Sequence, residues 1–282
     1  MRNRLIAQHT WLVAGVRHAF QALALDEQRA SFAPSIWKVG PKNQTTDLVQ
    51  AWFPGAHTNI GGGSRDKDEN GQLGQKEQLS FISYMWMLDR IHPYLALDEF
   101  ELRAQQADML ALIVPTGQAR GVSPSLIQAG TNFLKDKMAG ARDVAYGYAG
   151  GMINDSHTLL YDLLAFPKPR IPLDLGPEED KMRTGEVVHP SVFYRQESER
   201  RAGFPPEKIY QPLAMKGWTR ETSPGERPRW FKREAGTGRV VKMMEEFEVG
   251  GMAKGDSLEG WLIDKTWCDS VREDVESGWK SS

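Results

Sequence analysis

The spacing of hydrophobic positions predicts a helix and a buried strand early in the chain. Apolar residues recur at helical spacing over residues 10–26, so we expect a helix there with Thr10 as its N-cap. Residues 48–53 form a nearly continuous apolar run in which only Gln50 is polar. Such a run is typical of a strand buried on both faces of a parallel sheet, and it favours an α/β fold class.

Two further helices are predicted after this strand. Residues 77–91 are apolar on most sides, which indicates a buried helix, and Pro93 ends it. Asp98 is expected to cap a more amphipathic helix that continues to about residue 113.

The pattern weakens beyond residue 115. Helix candidates occur at residues 125–138 and 159–166, and a short helix is expected from His189 to about residue 199. The tryptophans near the C-terminus are interpreted as packing anchors for irregular segments. We therefore expect residues 116–282 to be mostly helical and irregular.

Composition narrows the classes of function without choosing one. The chain of 282 residues carries a net charge of −2, and its basic residues are scattered, so nothing indicates a nucleic-acid partner. The lone Cys268 excludes an intrachain disulfide, and a cytoplasmic location is the default expectation. No transmembrane segment is predicted, because no apolar stretch is long enough to span a bilayer. The oligomeric state stays open.

The most informative segment is residues 52–63, which reads WFPGAHTNIGGG. A histidine on a loop after a strand titrates near neutral pH where a substrate can reach it, so His57 is a candidate general base. Gly61, Gly62 and Gly63 are expected to shape the loop, since glycine accepts positive φ and allows close approach of the backbone. The pattern alone leaves open a histidine that is merely hydrogen-bonded in a surface loop.

Several blocks of residues resemble one protein family. Residues 52–63 are similar to the W-F-x-G-x-H-S-D/N-V-G-G-G signature of an α/β-hydrolase family. That family is known as a domain of unknown function, is abundant in filamentous fungi and is related to bacterial type VI secretion phospholipase effectors. Residues 22–27 (ALALDE) resemble a second block, although Gln28 stands where an arginine is usual. Residues 86–89 (WMLD) and 189–192 (HPSV) resemble further segments.

The resemblance implies a fold and a chemistry. It implies that residues 1–115 are the C-terminal part of an α/β-hydrolase-like catalytic domain, a partial core followed by an appendage at residues 116–282. It also implies cofactor-free, serine-dependent hydrolysis of a lipid-like or phospholipid-like ester, with His57 as the triad base. Asp26 is the acid that the chain order permits. The alternative is that Asp26 ends a helix and pairs with Arg29.

The sequence lacks the nucleophile that such a triad needs. The serine is expected in a Gly-x-Ser-x-Gly turn, and the chain contains none. Residues 121–125 (GVSPS) place proline where the oxyanion-hole amide is required, and residues 255–258 (GDSL) are interpreted as a chance match to another lipase motif. We therefore expect a fragment that also lacks neighbouring strands, so that the strand at residues 48–53 would have no partners. The alternative is a non-catalytic remnant or a binding module.

An acidic segment after the glycines resembles a calcium-binding loop. Asp66, Asp68, Asn70 and Glu77 offer oxygen ligands at EF-hand spacing. Glycines stand where an EF-hand has its first helix, so a solvated acidic loop is favoured and no metal site is predicted. Calcium binding stays an alternative. The other histidines show no metal-ligand spacing with Cys268 or with one another.

Overall fold

The computed structural model of the protein describes residues 11–13, 15–63, 78–113, 148–153, 168–174, 182–201, 203–249 and 257–266. Its helices and strands are, in chain order, β1 (His18–Ala24), β2 (Asp47–Phe53), α1 (His57–Gly61), α2 (Gln78–Ile91), α3 (Glu99–Ile113), β3 (Glu186–Val188), α4 (Ser191–Arg201), β4 (Trp218–Glu221), β5 (Arg229–Arg233), β6 (Val240–Glu245) and α5 (Leu258–Thr266). The fold is therefore mixed α/β, with a parallel sheet and helices.

The parallel sheet has the strand order β1–β2–β3. β1 runs beside β2 over its whole length, and Gln50 to Trp52 of β2 pair with β3. The expectation that β2 would lack partners is wrong, because strands from both sides of it in the sequence provide one neighbour each. The central strand is thus buried as a parallel strand should be.

β1 replaces the helix that was predicted over residues 10–26. The apolar positions there fit either element, and tertiary pairing decides between them. Seven consecutive residues of β1 pair with β2, and Ala19, Leu23 and Leu25 are buried. The proposed N-cap Thr10 lies outside the described residues.

The predicted strand at residues 48–53 is confirmed as β2, and its one polar residue is fully paired. The Gln50 side chain is completely buried. Its amide nitrogen donates to the carbonyls of Trp37 at 2.9 Å and Thr184 at 2.6 Å, and its oxygen accepts from the Trp37 amide at 2.8 Å. A buried amide with these partners carries no desolvation penalty for unpaired atoms, so it fits inside the sheet.

Three predicted helices are confirmed as α2, α3 and α4, whereas the helix candidates at residues 125–138 and 159–166 lie outside the described residues. α2 packs against one face of the sheet, where Ile82, Met85 and Trp86 join Phe53 in the core. Asp98 caps α3, since its carboxylate accepts from the amides of Phe100 at 2.9 Å and Glu101 at 3.2 Å.

The opposite face of the sheet is covered by an antiparallel sheet of β4, β5 and β6. The description of residues 116–282 as mostly helical and irregular is therefore wrong for this part. Trp218 and Trp230 are buried in one cluster with Trp52 of β2, but they belong to strands rather than to the irregular segments that were expected. The described residues beyond 115 thus contribute both a strand and a covering layer to the parallel sheet.

Candidate functional site

The carboxyl ends of β1 and β2 meet at one edge of the sheet, and the candidate site lies there. The Leu25 amide donates to the Phe53 carbonyl, and the Asp26 amide donates to the Gly55 carbonyl, each at 3.0 Å. These bonds hold the segment after β1 beside the turn after β2. The residues that follow each strand, Glu27 and His57, are brought into contact in this way. This edge is where open α/β sheets bind ligands.

The turn before His57 is tight because Gly55 permits it. Gly55 has φ of +116°, and a Cβ atom there would lie 2.5 Å from the Asn59 Cβ. Asn59 is buried and closes the turn by accepting a hydrogen bond from the Ala56 amide at 3.1 Å. The turn therefore fixes the position of His57, the first residue of α1, relative to the end of β2.

The three glycines after the histidine have different conformations. Gly61 is the last residue of α1, whereas Gly62 and Gly63 have φ of +73° and +81°. Positive φ is a conformation that side-chain-bearing residues rarely adopt, so these two positions favour glycine. Gly62 and Gly63 follow the short helix α1, and the rest of the predicted loop lies outside the described residues.

A carboxylate holds the His57 ring, and it belongs to Glu27. The His57 Nδ1 atom lies 2.6 Å from Glu27 Oε2. Glu27 is buried, with 1% of its side chain exposed, whereas the His57 side chain is 38% exposed. In the part of the chain that the structure describes, His57 Nε2 has no hydrogen-bond partner. The ring is thus anchored on one side and open on the other.

Arg29 neutralises this carboxylate. Its Nε donates to Glu27 Oε1 at 3.0 Å and its Nη2 donates to Oε2 at 2.9 Å, while the Arg29 amide also donates to Oε1 at 2.9 Å. Burial raises the pKa of Glu27, but the hydrogen bonds from Arg29 and His57 outweigh burial and lower the pKa to about 2. Glu27 is therefore an anion at neutral pH.

The geometry also selects the tautomer of His57. A carboxylate oxygen is only an acceptor, so a proton must lie between it and Nδ1 at 2.6 Å. Arg29 Nη2 lies 2.8 Å from Nδ1, but an arginine nitrogen cannot accept, and its hydrogen bond goes to Glu27 instead. The contact with Glu27 fits a proton on Nδ1, and in the neutral ring with that proton the lone pair is on Nε2. This is the form that can accept a proton.

Phe32 covers one face of the pair. Its ring stacks on the His57 ring with centroids 4.5 Å apart, and the Arg29 guanidinium lies 4.1 Å from its centroid. Phe32 is itself 44% exposed. The site therefore has one apolar, partly open wall.

Asp26 occupies a different environment from the one that the acid role required. Its Oδ2 atom accepts from the Gly55 amide and from the Tyr210 hydroxyl, both at 2.6 Å. Burial raises the pKa of Asp26, and these hydrogen bonds oppose that rise only in part. Arg29, the partner expected for Asp26 in the alternative, forms an ion pair with Glu27. Adjacent residues after a strand point to opposite sides, so one of the two carboxylates meets His57 and the other meets the turn.

A second histidine, His189, lies at the carboxyl end of β3 and is completely buried. Its Nε2 is 2.9 Å from Glu259 Oε1, and the Tyr148 hydroxyl also donates to Glu259. Its Nδ1 accepts from the Ser191 amide at 3.2 Å and contacts the Ser191 hydroxyl at 2.8 Å. Nε2 contacts the Glu259 carboxylate without hydrogen-bond geometry, and because the ring is completely buried, this cluster packs the site edge and offers no accessible base.

The remaining sequence candidates lie mostly outside the described residues. These are Asp66, Asp68, Asn70, Glu77 and residues 121–125. Ser257 of the GDSL segment is described, and its hydroxyl accepts from the Gly260 amide at 2.8 Å, which makes it a helix cap of α5. Among the described residues no cluster of histidine, cysteine or acidic side chains could hold a metal, and no helix has the length and hydropathy to cross a bilayer.

The fold and this site define a class: a mixed α/β protein with a carboxylate-bound histidine at the carboxyl edge of a parallel sheet. A family model described as "T6SS, Phospholipase effector Tle1-like, catalytic domain" matches residues 2–90, which include β1, β2 and both members of the Glu27–His57 pair. The match covers 89 of the 282 residues, and over that part the chain is similar to a phospholipase effector domain. Neither a curated protein nor a solved structure matches the chain.

Proposed function

We propose that the Glu27–His57 pair is the base half of an α/β-hydrolase-type site that hydrolyses a lipid-like ester. The observation that carries this proposal is the orientation of the His57 ring: Nδ1 contacts a buried carboxylate, Nε2 has no partner in the described part, and the side chain is 38% exposed. A triad histidine needs these two properties, one nitrogen fixed by an acid and the other open to a nucleophile. The family match to residues 2–90 supports the ester chemistry.

Each residue has a defined part in this mechanism. His57 Nε2 takes the proton from the attacking hydroxyl and later returns it to the leaving alkoxide. Glu27 holds the tautomer and stabilises the imidazolium that forms in between. Asp26, which the sequence suggested as the acid, holds the Gly55 turn from which His57 departs.

The nucleophile in this proposal is a serine outside the 282 residues. No Gly-x-Ser-x-Gly stands in the chain, and a strained turn of that kind is what exposes the hydroxyl in α/β-hydrolases. The region around β1 and β2 would then be the C-terminal part of the catalytic domain, and β3 would complete its sheet.

Sequencing the 5′ end of the transcript tests this proposal first. We expect an in-frame Gly-x-Ser-x-Gly upstream of Met1. The protein encoded by the whole transcript should hydrolyse a short-chain phosphatidylcholine, and His57→Ala should lower kcat by about 10⁴-fold. Glu27→Gln should lower kcat by about 10²- to 10⁴-fold, because the ring loses its anionic partner.

The exposed His92 provides the matched control, and His92→Ala should leave the rate unchanged. A transcript that begins at Met1, together with a purified chain that a fluorophosphonate serine probe does not label, would overturn the proposal in favour of a non-catalytic remnant. Equal rates for the His57→Ala variant and the wild type would overturn it as well.

A further inference from the structure

Asp26 joins the two strand ends that carry the Glu27–His57 pair. Its backbone amide donates to the Gly55 carbonyl at 3.0 Å, and its Oδ2 atom accepts from the Gly55 amide at 2.6 Å. Asp26 is thus bonded to both backbone groups of Gly55, at the turn that leads to His57. It also directly precedes Glu27 in the chain. A shift of the Asp26 carboxylate would therefore change how Glu27 and His57 face each other.

The Tyr210 hydroxyl is a second donor to this carboxylate. It donates to Asp26 Oδ2 at 2.6 Å, and the same oxygen accepts from the Gly55 amide. Burial raises the pKa of Asp26, and the hydrogen bonds from Tyr210 and Gly55 lower it. The two donors thus stabilise the ionised carboxylate. Hydrogen bonds to a charged acceptor are stronger than those between neutral groups, so the hydroxyl helps to fix the carboxylate in one position.

Tyr210 is itself held by α4. Its backbone amide donates to the Glu199 carboxylate, and its carbonyl accepts from the Gln196 side chain at 3.0 Å. The guanidinium of Arg195 lies 5.0 Å from the centroid of the Tyr210 ring. Because these contacts come from a single helix, the ring and its hydroxyl have a fixed direction toward Asp26.

The same helix is also tied to the other side of the turn. Arg195 Nη1 donates to the carbonyls of Ala149 at 2.9 Å and Gly151 at 2.6 Å. Directly after this segment, the Met152 carbonyl accepts from the Asn59 side chain at 3.0 Å. Asn59 belongs to α1, and its side-chain oxygen closes the turn that follows β2. The turn is therefore supported by α4 from two directions.

We propose that Tyr210 is a positioning residue of the candidate site, which holds Glu27 and His57 in place through the Asp26 carboxylate. The inference rests on the proposed hydrolase, in which His57 is the base. The hydroxyl reaches the pair through its bond to Asp26, so its role is one of position and not of proton transfer. Tyr210 lies outside residues 2–90, so the matched part of the chain does not contain every residue that shapes the base.

The tautomer of His57 tests this role without any need for hydrolysis. Long-range proton–nitrogen NMR spectra of the isotope-labelled chain distinguish the two tautomers at about pH 8.5, where an ordinary imidazole is neutral. We expect the Nδ1–H form in the wild type, as the contact with Glu27 indicates. Tyr210→Phe keeps the ring and removes the hydroxyl. The fraction of the Nδ1–H form should fall at least about twofold, because a loosened turn releases the imidazole from its carboxylate.

Two controls separate this effect from a general loosening of the protein. Tyr84→Phe removes another hydrogen-bonded tyrosine hydroxyl, which lies 3.0 Å from Gln105 Oε1, and it should leave the His57 signals in place. His189 is an internal reference in the same spectra, because its buried ring lies in a separate cluster with Glu259. Its tautomer should be the same in every variant.

A double-mutant cycle shows whether the hydroxyl acts through the carboxylate. Asp26→Ala should lower the Nδ1–H fraction of His57 on its own. Adding Tyr210→Phe to this variant should lower the fraction by less than about a fifth more, whereas independent effects would add. If Asp26→Ala does not fold, Tyr210→Phe and its controls decide alone.

Kinetics provide a second measurement in the protein encoded by the whole transcript. Tyr210→Phe should lower kcat for a short-chain phosphatidylcholine by about 10- to 100-fold, because a misplaced base slows the chemical step. The same variant should change KM by less than about twofold, since Tyr210 is not expected to bind the substrate. Tyr84→Phe should change neither constant.

Four results would overturn the role of Tyr210: an unchanged His57 tautomer in Tyr210→Phe, an equal loss in Tyr84→Phe, additive effects in the cycle, or a Tyr210→Phe chain that does not fold. The last result would show that the hydroxyl supports the whole fold rather than the pair. A wild-type His57 without the Nδ1–H form would overturn the pair itself.

Failure of this role is separable from failure of the proposed function. If Tyr210→Phe shifts the His57 tautomer while no hydrolysis depends on His57, only the proposed enzyme is refuted. If hydrolysis depends on His57 while Tyr210→Phe changes neither the tautomer nor kcat, only the positioning role is refuted.

Discussion

The described part of the protein holds two histidine–glutamate pairs at the same edge of its sheet, and they differ in access. His57 bonds to Glu27 through Nδ1, and its ring is 38% exposed with Nε2 open. His189 meets Glu259 through Nε2, is fully buried, and has Nδ1 engaged by Ser191. The residue types are the same, and the His189 cluster even includes a serine.

This comparison teaches that the free nitrogen, rather than the carboxylate, marks a candidate base. Ser191 contacts His189 as a nucleophile would, yet it is completely buried and no substrate can reach it. The His189 pair is therefore a structural element, and breaking it should cost stability. Changes at the His57 pair should mainly affect reactivity. The following predictions test that division, from the largest expected effect on stability to the smallest.

Glu259→Ala should destabilise the protein most, by about 3–5 kcal/mol, because it leaves His189 and Tyr148 buried without their acceptor. Urea unfolding followed by tryptophan fluorescence measures this loss. His57→Ala, the counterpart at the open pair, should lose less than about 1 kcal/mol. Similar losses of stability in the two variants would contradict the assignment of a structural role to the His189 pair and a reactive role to the His57 pair.

Asp89→Ala should lose about 1–3 kcal/mol, because the Asp89 carboxylate accepts from the first amides of α5, those of Leu258 at 2.8 Å and Glu259 at 2.9 Å. This cap fixes the helix that supplies Glu259 to His189. Asp89→Asn keeps one acceptor oxygen, so its free energy of unfolding should lie between those of Asp89→Ala and the wild type in the same experiment. An unchanged midpoint would mean that α5 is held by its apolar face alone.

Glu27→Gln should lower stability by about 1–2 kcal/mol at pH 7, and the difference should shrink in acid. The pKa of Glu27 is lowered from 4.5 to about 2 in the folded protein. Its stabilising contribution is therefore complete above about pH 4.5 and is lost as the pH falls toward 2. Urea unfolding of both proteins at pH 7, 4.5 and 3 measures this change. A difference that grows with acidity would refute the ionised pair.

Phe32→Ala should change stability by no more than about 0.5–1 kcal/mol, since the ring is 44% exposed. It should still free the His57 ring, which loses its stacking partner. Shifts of the His57 ring protons in NMR spectra report that change, and the exposed Phe100→Ala should leave them in place. A large loss of stability would show that Phe32 belongs to the core.

The hydrophobic pattern predicted the elements that carry a local signal. It missed the elements that form only by pairing with residues far away in the sequence. β2, α2 and the Asp98 cap carry their own patterns, so they were found. β1 was assigned as a helix because its apolar positions fit both elements, and only its pairing with β2 decides. The strands β4–β6 carry charged residues at seven of their 15 positions, which conceal the few buried positions such as Trp218 and Trp230.

The site was likewise predictable only where its residues carry a local sequence signal. His57 lies in a motif, but chain order cannot distinguish Asp26 from its neighbour Glu27. The distinction is the side of the strand end to which each side chain points. The contact of Arg170 with the Arg29 carbonyl has no local signal, because the two residues are 141 positions apart in the sequence.

The position of β3 in the sheet has a consequence for synthesis of the protein. The indole of Trp52 bonds to Glu186, which is 134 residues further along the chain. At a ribosome that adds ~5–20 residues per second, β2 waits on the order of ten seconds for this neighbour. During that interval its unpaired edge is open to other nascent strands, which is how aggregation begins. A chaperone that shields the strand over this period should therefore raise the yield of folded protein.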